Sequence, residues 1–120
     1  MMKIAANVLV AIVAAFHLYA LVLEMFLWTK PFGRRTFGLT REVAESSKAL
    51  AANQGLYNGF LAAGLVWGLV AGRRDVEIFF LACVIVAGIF GAATAKRSIL
   101  FVQALPGAIA LAAVWLSGTS

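Results

Sequence analysis

The chain has 120 residues, 63% of them apolar and 12% charged, with a mean hydropathy of +0.97. A water-facing domain carries about 25% charged residues, so this composition points to a bilayer. Four spans of about 20 residues each would use the whole length and leave no separate soluble domain. The net charge of +5 sits in short segments between apolar runs, the distribution of topology signals and not of a nucleic-acid footprint.

The first apolar run covers residues 4–28 and stops at Thr29, Lys30 and Pro31. It is too long for a signal peptide and shows no small-residue cleavage site, so it is read as a retained helix. Residues 30–49 form a polar loop with a helical extension. Thr40 is its predicted N-cap, Glu42 lies in the first turn, and Arg41 and Glu45 are spaced to pair. The second helix therefore begins near Arg41, enters the bilayer at residue 50 and runs to about residue 71. Gly72, Arg73, Arg74 and Asp75 make a polar turn. Residues 76–95 form the third span, closed by Lys96, Arg97 and Ser98, and residues 99–116 form the fourth. Apolar runs of this length in a multi-span chain leave the helix as the reasonable choice. The expected fold class is all-α, an integral membrane four-helix transmembrane bundle forming a single domain.

Orientation follows from the basic residues. Lys30, Arg34, Arg35, Arg41, Lys48, Lys96 and Arg97 lie in the first and third loops, against Lys3, Arg73 and Arg74 on the other side. The richer side is cytoplasmic, which puts both termini outside. Trp28, Trp67 and Trp115 fall near span ends, as interfacial aromatics do.

Polar side chains inside hydrocarbon are costly, and ionisable ones are functional candidates. His17 and Glu24 are seven apart, within about 20° on one face of the first helix and about 10 Å apart along its axis. Glu24 is read as the exception, an acidic residue set within a span, the others mostly accompanying polar segments. In the second helix Asn53, Gln54, Tyr57 and Asn58 occupy an arc of about 140°. Gly64 and Gly68 continue that face and are expected to leave open space for a ligand or another backbone.

The alternating topology places Glu24, Asn53, Gln54, Tyr57, Asn58, Thr94 and Gln103 in the cytoplasmic half, with His17 nearer the midplane. Pro106 lacks an N–H, frees the Val102 carbonyl beside Gln103, and is expected to kink the fourth helix. The amides could equally be interhelical glue, worth about 0.6 kcal/mol on average, but glue alone does not need an ionisable carboxylate. Cys83, inside an apolar run, is read as core filler.

Small residues recur at four-residue spacing: Gly55, Gly59 and Ala63; Ala87, Gly91 and Ala95; Gly88 and Ala92. Such stripes bring helices close, within the bundle or between copies. No cluster has metal-ligand spacing, and no phosphate loop, nucleophile elbow or C-x-x-C motif is present. One histidine cannot supply bis-histidine haem ligation within one chain.

The segments LEMFLW (23–28), NQGLYNGFLAAGL (53–65), AGIFGAATA (87–95) and QALPGAIAL (103–111) resemble a family of small bacterial and fungal integral membrane proteins, domain of unknown function 1304. The similarity covers nearly the whole chain. It implies a four-helix membrane protein and transfers no activity, cofactor or site residue.

The leading expectation is a bacterial inner-membrane protein that binds, and as an extension transports, a small or lipid-like molecule in this polar pocket. Glu24 would carry charge or a proton, His17 would be its proton partner or a hydrogen-bond donor, and Asn53, Gln54, Asn58 and Gln103 would orient the ligand. Transport through so thin a wall would call for a homodimer or larger assembly. The alternatives are a membrane-embedded acid/base enzyme, an isomerase or hydrolase with His17 and Glu24 as its catalytic pair, and a non-catalytic subunit. Partners are the bilayer and the ligand, with no nucleic acid; no metal is expected and no cofactor is indicated.

Overall fold

The computed structural model describes residues 1–118. Among them are five α-helices and one π-helical turn, with no strand. The helices are α1 (Met2–Met25), α2 (Pro31–Phe37), α3 (Arg41–Ala71), α4 (Arg74–Thr94) and α5 (Leu105–Leu116), and the π turn, Leu100–Ala104, leads into α5. The fold is all-α. By length and composition α1 and α4 could each cross a membrane. The apolar helical stretch Leu100–Leu116 is shorter, and α3 opens with the polar run Arg41 to Lys48.

The chain packs as two compact units, one of Met1–Ala15 with the chain from Leu61 onward, the other of Phe16–Phe60. In the first, Val10, Leu65, Leu81, Val84, Ala110 and Val114 form a core that is 0–2% exposed, with Leu9, Leu61 and Phe80 packed around it. The residues come from both ends of this unit's sequence because α4 and α5 pack closely and meet the first turns of α1. A Cβ on Gly88 would lie 2.8 Å from the Ala104 backbone nitrogen and 3.0 Å from its Cα. The π turn thus approaches α4 backbone to backbone, which only a residue without a side chain permits.

The π turn itself accounts for Pro106. A proline ring collides with the carbonyl four residues back, here Val102, and a wider turn relieves that clash. The Leu105 N–H bonds the Leu100 carbonyl, a five-residue step, so the backbone is already widened where Pro106 enters α5. The expected kink is therefore a local π distortion.

The second unit holds the rest of α1, all of α2 and the first part of α3. Helix α1 ends three residues earlier than expected, at Met25, and closes with Phe26 and Leu27 N–H groups both on the Val22 carbonyl, at 3.0 and 3.2 Å. The polar segment then folds into α2. Pro31 sits in its first turn and Gly38, at φ 65°, ends it in a left-handed conformation that glycine adopts without steric cost.

Two local expectations hold. The Val43 N–H bonds Thr40 Oγ1 at 3.2 Å, so Thr40 caps α3, which begins at Arg41. Glu45, however, pairs with Lys48 at 3.3 Å, leaving Arg41 without it. The Trp28 indole N–H donates to Ser47 Oγ at 3.0 Å, and its ring lies 4.8 Å from that of Phe37. Trp28 therefore joins the end of α1, helix α2 and the start of α3 within this unit.

Candidate functional site

The best-defined polar pair comes from helices α1 and α3. Asn58 Nδ2 donates to Glu24 Oε1 at 2.6 Å. Gly55 and Gly59 make this approach feasible: a Cβ on Gly55 would lie 2.6 Å from Met25 Cγ and 3.1 Å from Glu24 Cβ, and one on Gly59 would lie 2.7 Å from Leu21 Cδ1. One stripe of small residues is thus used for packing inside the chain. Glu24 is half-buried and forms no ion pair among the described residues. Its Oε2 receives no hydrogen bond there, so one carboxylate oxygen is held and the other is free to accept.

His17 lies two helical turns before Glu24 on α1 and is 1% exposed, with the Phe16 ring edge-on at 5.4 Å. On α3, Asn53 and Tyr57 are exposed and bond each other, Nδ2 to hydroxyl, at 3.3 Å. Gln54 is exposed on the same helix. Six of the sequence-selected residues therefore belong to the second unit.

Thr94 and Gln103 belong to the first unit, and backbone there already engages them. Thr94 Oγ1 donates to the Phe90 carbonyl at 2.7 Å, and Gln103 Nε2 to the Val84 carbonyl at 3.2 Å. The Gln103 amide links the π turn to α4. Gly64 and Gly68 do not leave open space: the Phe80 ring fills the position beside Gly64, and a Cβ on Gly68 would lie 2.6 Å from Glu77 Cγ. Large side chains of α4 use that room, which spacing along α3 alone does not reveal.

The structure adds one carboxylate. Glu77 lies in the first turn of α4 and is only 6% exposed, so Glu24 is not the single acidic residue buried in an apolar helix. Glu77 lines a cavity of about 130 Å³ with Lys3, Asn7, Arg74 and Ser117, and Lys3 supplies a cation acting on it. Arg74 closes one side, its guanidinium donating to the Val114 and Trp115 carbonyls at 3.3 and 3.1 Å and stacking 5.2 Å from the Trp115 ring. The first turn of a helix suits a carboxylate, so Glu77 reads as a terminal charge in sequence. Its position one residue inside the apolar run was the available signal.

Outside the apolar stretches, Arg73 and Asp75 form a two-point pair, Nε to Oδ1 at 3.1 Å and Nη2 to Oδ2 at 2.7 Å. The hydrogen bonds from Arg73 hold the Asp75 carboxyl below its ordinary range. Among the described residues no group of three or more His, Cys, Asp or Glu side chains could hold a metal ion.

Comparison with known sequences finds a match to the family described as a protein of unknown function, DUF1304, over residues 11–115. An uncharacterised protein, YpaA, of Lactococcus lactis subsp. lactis (strain IL1403) is 29% identical over 106 residues, covering 85% of this chain and 89% of the relative. No solved structure matches.

Proposed function

We propose that this chain, which belongs to the DUF1304 family, is a multi-pass inner-membrane protein that binds a small or lipid-like molecule at the Glu24 and Asn58 pair. The observation that carries the reading is the held carboxylate: Asn58 fixes Oε1, no cation neutralises Glu24 among the described residues, and Oε2 stays open to a donor. A ligand with an N–H or O–H group and an apolar body suits that oxygen and its surroundings. His17, on the same helix, would act as proton partner or second hydrogen-bonding group. The exposed amides of Asn53 and Gln54, with Tyr57, would orient the ligand's polar end.

Membrane residence draws support from α1 and α4, each long and apolar enough to cross. Arg73 lies 5.9 Å from the Trp67 ring and Arg74 5.2 Å from the Trp115 ring, cation and aromatic together as at an interface. In the proposed four-span arrangement the loops carrying Lys30, Arg34, Arg35, Arg41, Lys48, Lys96 and Arg97 would lie in the cytoplasm and both termini outside. Resistance of the full chain to alkaline extraction tests residence, and cysteine labelling on either side tests orientation.

Native mass spectrometry of the chain released from detergent tests ligand binding. A co-purifying molecule lost in Glu24→Gln and kept in Thr94→Ala is the expected result. Retention by Glu24→Gln at full occupancy would remove Glu24 from the site. The placement of His17 and Glu24 on one face of α1 favours, as second reading, an acid/base enzyme on a hydrophobic substrate. Its signature is a pH profile that loses one limb in each of His17→Ala and Glu24→Gln.

A further inference from the structure

Helix α2 has an inner and an outer side. Gly33 is buried, and a Cβ there would run into the Leu27 carbonyl, while Phe37 lies on Trp28. At 100° per residue these two positions share a face, and Pro31, Arg34, Arg35 and Gly38 lie away from it. Those four residues and Leu39 line an open concavity of about 410 Å³.

The charge in this concavity is uncompensated. The ion pairs among the described residues are Lys48 with Glu45 and Arg73 with Asp75, so neither Arg34 nor Arg35 has a carboxylate partner. The Nε of Arg34 is buried and meets no acceptor among the described residues, whereas buried N–H donors are ordinarily satisfied. Two of the carbonyls at this end of α2 are already used: Leu39 and Gly38 N–H groups bond the Arg34 and Arg35 carbonyls, and Gly38 N–H also reaches Arg34. That closure blunts the partial negative charge with which a helix C-terminus repels anions.

We propose that the Arg34 and Arg35 concavity binds the phosphate of an anionic phospholipid headgroup. Planar guanidinium donors match phosphate oxygens, and neither arginine is matched by a carboxylate among the described residues. A lipid is favoured over free phosphate because Phe26 and Phe32, 64% and 47% exposed on the same connecting segment, offer apolar surface for acyl chains. The proposal rests on membrane residence and is separable from it by experiment.

The full chain is reconstituted in bilayers of phosphatidylcholine with a minor fraction of phosphatidylglycerol, and lipids retained on release are counted by native mass spectrometry. Wild-type protein should retain phosphatidylglycerol in excess of its bilayer fraction. Arg35→Gln, an exposed change, should lower the excess about fivefold. Arg34→Lys, which keeps the charge and removes the planar fork, should lower it as well. Arg73→Gln removes an equal charge elsewhere and should leave the excess unchanged.

An extraction-resistant protein with no excess, or an excess equal in all variants, would overturn the headgroup site while leaving membrane residence intact. Failure of the wild type to resist alkaline extraction would overturn both. Displacement of the retained lipid by millimolar inorganic phosphate would overturn the assignment to lipid.

Discussion

Asn58 donates to Glu24 across 34 residues of sequence, at 2.6 Å and from one helix to another. Leaving a partly buried acceptor without its donor costs about 1–3 kcal/mol. Asn58→Leu should therefore destabilise the protein by about 2 kcal/mol, while Asn58→Gln should lose less. Thermal unfolding of the two variants in one detergent checks the order, and equal losses would mean that the amide does not hold the carboxylate.

Gly88 and Gly91 carry opposite expectations although both belong to small-residue stripes. A Cβ on Gly88 meets backbone atoms of Ala104 at 2.8–3.0 Å, which cannot move without displacing the π turn. A Cβ on Gly91 meets only the Ile99 side chain, at 3.3 Å and beyond. Gly88→Ala should cost about 1–3 kcal/mol by overpacking and Gly91→Ala well under that. Melting temperatures compare them directly.

Trp28→Phe separates two contributions at one position. The aromatic contact with Phe37 is kept and the indole donor to Ser47 is lost, so the expected cost is about 1 kcal/mol. Trp28→Ala should cost several times more, because the α1 to α2 connection loses its packing as well. Limited proteolysis between residues 30 and 40 reports the loosening.

Arg73 and Asp75 supply the pH prediction. Asp75 is held below its ordinary range by Arg73, so the folded state favours the ionised form. Any stability from the pair is fully present above the ordinary carboxylate range and is lost as pH falls through the lowered folded value. Both residues are exposed, so the effect is small and screened by salt. The stability difference between wild type and Asp75→Asn should be flat near neutrality, shrink only in strong acid and diminish with added salt.

Local rules identified much of the chain in advance. Thr40 caps α3 and Gly72 turns the chain at φ 66° between α3 and α4, because caps and tight turns depend on a few adjacent residues. Helix α2 was legible by the same rules, with Pro31 at its start and Gly38 at its end, but its density of polar residues hides it as a loop. The π turn was only half legible: Pro106 signals a distortion, and the choice between a kink and a widened turn depends on how closely Ala104 approaches Gly88.

The sequence by itself determined that the chain is helical and markedly apolar, that α3 begins at Arg41, and which side chains are too polar for their surroundings. Those properties follow from composition, period and local hydrogen-bonding preference. Only the tertiary structure decided which polar atoms meet: Glu24 with Asn58, Gln103 with the Val84 carbonyl, Arg74 with the end of α5, and Glu77 buried where sequence places a helix-terminal charge. Pairing of this kind depends on how helices rotate and approach, and that is set by where small residues face large ones. Phe80 beside Gly64 and Met25 beside Gly55 are the contacts that set it.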